Sequence, residues 1–331
     1  MRKNNDEYLV SICVPIYGVE KYIERCVTSL FEQTYTNIEY IFVNDKTPDM
    51  SINILKSVIE KYPERSSHVH IINHKYNSGL AAARNTAVDA ATGLFLFHVD
   101  SDDWLDKNCI KLCVEKQKET QADIVSASML RVYKRRKKIE TIPDFTLPKD
   151  FIISIITHSI PNNVCARLIR RSLYVDNGIK VEGGANMSED LNVMPRLAYY
   201  SKQISTVHNA LYFYECRNNN SYTSFFSEKK FDQIMVTDKV LSDFFKGKGH
   251  EYEEALKIRL YNTYVRNLIN SVKAKGNKKF YNKLRERITS MPIELQKTLP
   301  FPYKLSLNIK NYYIFRWYIL FASYIKKAIK R

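Results

Sequence analysis

Four residues, Asp100-Ser101-Asp102-Asp103, close the apolar run Leu94-Phe95-Leu96-Phe97-His98-Val99 and place three carboxylates side by side. Carboxylates this close repel one another unless a cation or a cationic ligand sits among them. Hard oxygen ligands suit Mg²⁺ or Mn²⁺, which are usually held by one or two carboxylates together with substrate phosphates. A helix beginning near Asp106 would need only one Asp as its cap. The cluster therefore reads as a metal–phosphate site first and as a capped turn second.

Other polar residues suggest partners for that site. Arg84 lies on the same helical stripe as Leu80, Ala87, Val88 and Ala91. A guanidinium on an apolar stripe needs an anionic or acceptor-rich partner, for which Asp100, Asp45 or a bound nucleotide would serve. A purely structural Arg–Asp ion pair fits that position equally well. Asp45, in Val43-Asn44-Asp45-Lys46-Thr47-Pro48-Asp49, either accepts from a nucleobase N–H or forms an Asx-turn with its own loop amides. Lys46 stands where such loops often carry Gly, so the turn is expected to avoid positive φ or to bend differently.

Ser188-Glu189-Asp190-Leu191 has the form of a helix start, with Ser188 as N-cap and both acids in the first turn, where the helix dipole favours ionised carboxylates. Pro195 is expected to kink or shorten that helix. Arg217-Asn218-Asn219-Asn220-Ser221 follows an aromatic strand, and its Arg217 and Ser221 suit a diphosphate or an ordinary surface turn. His208 reads as a satisfied loop histidine rather than a metal ligand.

The elements that must position these residues alternate. Strands are predicted over 9–16, 38–43, 69–73 and 94–99, and helices over 21–33, 51–62 and 80–91. Alternating β and α elements with fully apolar strands imply a parallel sheet covered by helices on both faces, with ligands beyond the carboxyl ends of the strands. Pro15 to Gly18, Asn44-Asp45, His74 to Asn77 and Asp100 to Asp103 all fall on that rim. A further strand is expected over 123–132, then a basic turn and a less regular segment to Pro161. From Glu228 onward the pattern is helical, with Phe231, Ile234, Val240, Leu241, Leu256, Ile258, Tyr261 and Leu268 as core candidates.

Composition sets the broad class. The chain has 331 residues, 45% hydrophobic and 26% charged, which is ordinary for a core-forming protein with a main domain and an appendage. Six cysteines without a C-x-x-C pair read as free thiols of a reducing cytoplasm. No signal peptide is expected at the polar amino terminus, and no uninterrupted apolar segment has the length of a bilayer span. The net charge of +16 gathers in the stretch from Arg131 to Lys138 and in the carboxyl-terminal tail. Such patches suit nucleic acid, an anionic membrane or phosphorylated substrates, or are simply solvated.

Taken in order, the blocks Val10-Ser11-Ile12-Cys13-Val14-Pro15-Ile16-Tyr17, Val43-Asn44-Asp45, Asn77-Ser78-Gly79, Ala83-Arg84-Asn85, Asp100-Ser101-Asp102-Asp103, Ser188-Glu189-Asp190 and Arg217 to Ser221 resemble a family 2 glycosyltransferase. The likeness is to the inverting type that builds bacterial surface polysaccharides. It implies a GT-A fold, an α/β, Rossmann-like and mostly parallel sheet, over 1–225, followed by a helical extension over 226–331.

By position, the resemblance implies that Pro15, Tyr17, Asp45 and Arg84 surround the base and ribose of a nucleoside-diphosphate sugar, expected to be a UDP-sugar. Asp100 and Ser101 lie beside the nucleotide, Asp102 binds Mn²⁺ or Mg²⁺, and Arg217 and Ser221 face the diphosphate. Asp190 matches the general base, ionised at a near-normal pKa, and Glu189 supports the acceptor side. Lys46-Thr47-Pro48 departs from the Gly-Ser-Thr usual there. The acceptor is a hydroxyl of a glycan or a polyprenyl-linked chain.

The tail from Tyr312 to Phe321, followed by Lys326-Lys327-Ala328-Ile329-Lys330-Arg331, is too short to span. It suits either a helix on the anionic inner face of the cell membrane or one packed on the catalytic domain. Two other functions compete. A sugar-nucleotide nucleotidyltransferase would carry a Gly-rich, basic phosphate loop where Tyr17-Gly18-Val19-Glu20 stands. A nucleic-acid-binding protein fits the charge, but no recognised motif supports it and the acidic rim repels phosphate.

Overall fold

A computed structural model describes residues 8–218, 227–274, 277–299, 304 and 307–329. Contacts divide the chain into two compact units, Met1–Ser221 and Tyr222–Arg331.

The first unit is built on the apolar runs. Strands β1 (Val10–Ile16), β2 (Ile38–Asn44), β3 (Val69–Asn73) and β4 (Phe95–His98) pair in parallel in the order β3-β2-β1-β4. Every residue of β1 and β4 is buried, as expected for strands covered on both faces. Helices α1 (Ile23–Phe31), α2 (Ser51–Glu60), α3 (Pro63–Ser66) and α4 (Leu80–Ala90) connect them.

Beyond β4 the sheet becomes mixed. After β5 (Trp104–Leu105) and α5 (Cys109–Thr120) come β6 (Ile124–Val132), β7 (Lys137–Glu140), α6 (Pro148–Ile156), β8 (Arg167–Arg170), α7 (Ser172–Val175), α8 (Glu189–Tyr200) and β9 (Ile204–Glu215). Strand β8 is antiparallel to both β4 and β6, whereas β9 runs parallel to β6. The carboxyl end of β6 therefore lies on the same sheet edge as that of β4. The segment expected to be irregular contains β7 and α6. Its Phe151, Ile152, Ile155 and Ile156 are buried at helical spacing, and Pro148 opens the helix where no N–H is needed.

Pro195 does not end α8, which continues past it over twelve residues. Proline removes one backbone donor, and the buried neighbours Leu191, Met194, Leu197 and Ala198 hold the turn through packing.

The second unit is helical: α9 (Glu228–Phe245), α10 (His250–Lys273), α11 (Lys278–Thr289) and α12 (Tyr312–Ile329), with a 3-10 turn at Ile293–Thr298. Phe231, Tyr261, Leu268, Tyr281, Leu284 and Phe315 form its core. Leu241 and Leu256 are also buried, but Ile234, Val240 and Ile258 are only half-buried, while the pair Asp238–Arg259, at 2.6 Å, is buried among the helices. No helix among the described residues is long and apolar enough to cross a membrane.

Candidate active site

The rim begins where β1 ends. Pro15 is buried in the sheet opposite Val43, and Tyr17 projects half-exposed beyond it. Gly18 takes φ 68, a left-handed turn available to glycine at no steric cost. Side chains from the next loop then fix the turn: Gly18 N donates to Thr47 Oγ1 at 2.8 Å and Glu20 N to Asp49 Oδ2 at 2.9 Å.

The Asx-turn expected of Asp45 belongs to its neighbour. Asn44 Oδ1 accepts from Thr47 N at 2.9 Å, and Lys46 itself adopts φ 58, so the turn keeps the positive φ that its Gly-less sequence argued against. Asp45 reaches across the rim to the start of α4. Its Oδ1 accepts from Ser78 N and pairs with His74 Nδ1, and its Oδ2 accepts from Gly79 N, each at 2.8 Å. Gly79 has φ 87, and a Cβ there would meet Asn186 Nδ2 at 2.5 Å. Asn186 Oδ1 in turn accepts from Ala81 N at 2.9 Å. Two side chains distant in sequence thus satisfy the first amides of α4, a region that helices leave unpaired.

One turn further, α4 delivers Arg84 into a nest of carboxylates. Its Nη1 donates to Asp190, its Nη2 to Asp100 Oδ1 at 3.0 Å, and Glu189 Oε1 lies 3.4 Å away. Only 4% of the Arg84 side chain is exposed, so the charges interact in a poorly solvated space. Burial works against the guanidinium charge, but Asp190, Asp100 and Glu189 outweigh it and hold the group well above its usual range.

The same burial acts on the acids. Glu189 is pushed up to about 8 by desolvation and by Asp190, against the pull of Arg84. Asp190 is also raised, by burial first and then by Asp100, although Arg84 and the Val164 backbone favour its charge. The expected near-normal Asp190 is therefore corrected: helix α8 starts inside the protein rather than in water. Ser188 occupies the N-cap position of α8 but makes no capping hydrogen bond. A second guanidinium, Arg167, is wholly buried, donating to Ser126 Oγ at 3.2 Å and to the Pro161 carbonyl at 2.8 Å.

The acidic quartet divides its work. Asp103 is structural: it accepts from Tyr212 Oη and Glu215 N, both at 2.7 Å. Ser101 is buried in the turn. The Asp102 carboxylate meets no cation among the described side chains, and its Oδ2 accepts only from Asn218 Nδ2 at 2.9 Å. Burial and Asp100 raise it to about 6. A carboxylate held with uncompensated charge on a ligand-facing rim fits a divalent cation. Among the described residues no group of three or more His, Cys, Asp or Glu side chains is placed to hold a metal ion.

Beside Asp102 lies a pair that sequence reasoning missed. Buried Glu215 takes Arg217 Nε at 2.7 Å and Nη2 at 2.5 Å, and Arg25 Nη2 at 3.0 Å. Desolvation works against its charge, but these arginines bring it down to about 2. Arg25 also donates to the Asp102 carbonyl at 2.7 Å and lies 3.6 Å from the Trp104 ring. Arg217 is thus committed to Glu215 rather than left free. Ser221 lies outside the described residues. His208 sits on β9, not in a loop, and pairs with Asp144 at 3.0 Å. The structure accordingly joins Arg84, Asp100, Glu189 and Asp190, gathers Asp102 and Arg217 around Asn218 and Glu215, and ties Asp45 to the opening of α4.

Comparison with known proteins places this architecture. Residues 11–176 match the profile of the family described as Glycosyl transferase family 2. The uncharacterized glycosyltransferase EpsJ of Bacillus subtilis (strain 168) is 31% identical over 65% of this chain, which spans 63% of its length. The poly(ribitol-phosphate) beta-glucosyltransferase of Bacillus spizizenii is 27% identical over 77% of this chain, which spans 39% of that protein. The crystal structure of S. aureus TarS 1-349 in complex with UDP-GlcNAc superimposes with a TM-score of 0.69 at 20% identity, covering 91% of this chain and 86% of that one; this likeness is one of fold.

Proposed function

The chain belongs to glycosyltransferase family 2, and from that premise we propose that it transfers a sugar from a nucleoside-diphosphate sugar, a UDP-sugar, to an acceptor hydroxyl in surface-polymer synthesis, with inversion at the anomeric carbon. The donor is argued from the UDP-GlcNAc complex of a protein with the same fold, and the polymer from the relatives' names. Family membership sets aside the nucleotidyltransferase reading. The observation that carries the proposal is the nest around Arg84, where the ionisable Asp190 faces Asp100 beside the unneutralised Asp102.

In this reading Pro15, Tyr17 and Asp45 border the base. Asp45 has a lone pair left on Oδ2 for a base N–H, since that oxygen takes one amide. Asp100 and Ser101 flank the ribose, and Asp102 would hold Mn²⁺ or Mg²⁺, with the Glu215-bound Arg217 toward the diphosphate. A bound cation of this kind offsets the charge that grows on a departing diphosphate. Asp190 removes the proton from the acceptor hydroxyl as its oxygen bonds the anomeric carbon and the bond to the diphosphate breaks. A single displacement inverts that carbon. Arg84 orients Asp190 and favours its ionised form, while Glu189, protonated near neutral pH, is a donor to the acceptor side.

Asp102→Asn tests the metal. Calorimetry with UDP is expected to give manganese-strengthened binding for the parent chain and none of that increment for the variant. Equal manganese dependence in both would remove Asp102 from the role.

The proposed catalytic region is 1–225, and the helical region 226–331 brings it to a membrane-borne acceptor. Tyr312, Phe315 and Ile319 of α12 are buried, whereas Tyr313, Trp317, Phe321 and Tyr324 line its other side, 48% to 72% exposed. An aromatic face ahead of Lys326, Lys327, Lys330 and Arg331 suits an anionic leaflet. Trp317→Ser combined with Phe321→Ser leaves the buried face intact and is expected to abolish cosedimentation with phosphatidylglycerol vesicles. Undiminished sedimentation would refute the membrane role of α12.

A further inference from the structure

The basic stretch after β6 is a hairpin at the candidate active site. Tyr133 N donates to the Arg136 carbonyl at 2.9 Å, closing a turn over Lys134 and Arg135, and Val132 pairs with Lys137. Lys134, Arg135, Arg136, Lys137 and Lys138 are all exposed, and none meets a carboxylate among the described residues. Their neighbour Arg131, by contrast, is paired with Glu140 at 2.7 Å. Like charges crowded on a turn repel one another, so a run without counter-charges leaves its field directed outward.

Register fixes where that field acts. Across the sheet Val132 stands opposite Glu215, the carboxylate that holds Arg25 and Arg217. The turn residues extend two positions past Val132, roughly 7 Å at strand rise. That distance is within about one Debye length at physiological salt. Orientation agrees as well. Lys138 pairs with Arg131, and Arg131 with Tyr214, whose ring lies 4.8 Å from the Arg131 guanidinium. Two residues earlier on the same face, Tyr212 donates to Asp103. Lys138 therefore shares the sheet face from which Tyr212 reaches Asp103.

An acid-rich centre repels an anionic acceptor as it approaches. Flanking cations remove that barrier and raise the encounter rate. We infer that the β6–β7 hairpin grips the phosphate groups of a polyanionic acceptor, a phosphodiester-linked polymer whose terminal hydroxyl enters the site. The inference rests on the proposed sugar transfer and names the chemical class of its acceptor.

The test uses the full chain and its Lys134→Ser/Arg135→Ser/Lys138→Ser variant, which alters exposed residues outside the catalytic groups. The probe is a fluorescent glycerol-phosphate oligomer followed by anisotropy. A neutral glycan oligomer, phosphatidylglycerol vesicles and single-stranded DNA run as parallel arms. The variant should bind the glycerol-phosphate oligomer about tenfold more weakly at low salt, with the difference closing at high salt. The neutral oligomer should show no difference, and UDP-sugar hydrolysis without acceptor should be unchanged. Equal affinity of both proteins for the glycerol-phosphate oligomer overturns the proposal. So does a charge-dependent preference for vesicles or DNA over that oligomer. Failure of the sugar-transfer reading is distinct, because it appears as no donor turnover by either protein.

Discussion

Asp190→Asn is expected to lower the transfer rate by roughly 10²–10⁴-fold while leaving affinity for the nucleotide within a small factor. Asparagine keeps the size of the side chain and still accepts a hydrogen bond from Arg84, so the nest retains Asp100 as a counter-charge. What is lost is proton-accepting capacity at the carboxylate that takes the hydrogen bond from Arg84 Nη1. In the parent enzyme the acid limb of kcat/KM should fall above the ordinary carboxylate range, since burial and Asp100 raise Asp190. Single-turnover rates with saturating UDP-sugar, set beside calorimetric UDP binding, separate the two effects. Retained turnover with normal binding would exclude Asp190 as the base.

How much of this was legible in the sequence depended on the range of each interaction. The apolar runs of β1, β2 and β4 declared their strands, because burial on both faces leaves no polar alternation to misread. Arg84 declared its need for an anion, because a guanidinium on a buried stripe has few other solutions. Which anion it met was not legible, since Asp190 lies 106 positions away and only the sheet's turn from parallel to mixed brings α8 back. Glu215 escaped for the same reason. Its burial and its two arginines are tertiary facts, although an acid two residues before Arg217 at the end of a buried strand was a usable hint. Local rules failed where distant groups supplied the compensation. Lys46 sits at positive φ because Asn44 and Thr47 close the turn around it, and α8 passes Pro195 because its neighbours are packed. In the mixed half of the sheet β6 and the end of β9 were legible, but β8 was not, as it is only four residues long and follows a helix read as a less regular segment.

Arg84→Met should have the largest effect on stability, and the sign of its pH dependence distinguishes it from simple loss of packing. Methionine fills much of the same volume but leaves Asp190, Asp100 and Glu189 facing one another without a cation. Breaking a buried ion network by removing one partner costs about 3–5 kcal/mol. Glu189 already binds its proton more tightly folded, at about 8, than its ordinary 4.5. Between those values the native state holds more protons than the unfolded one, so its contribution to stability falls as pH rises. Without Arg84 the Asp190 carboxyl follows the same course, because its charged form loses its strongest favourable partner. The deficit of the variant should therefore be modest near about pH 5, where protons neutralise the nest, and should widen toward about pH 8. Urea midpoints measured across that range decide the matter. A deficit that stays constant with pH would mean that Arg84 acts through its shape, and the electrostatic account of the nest would be wrong.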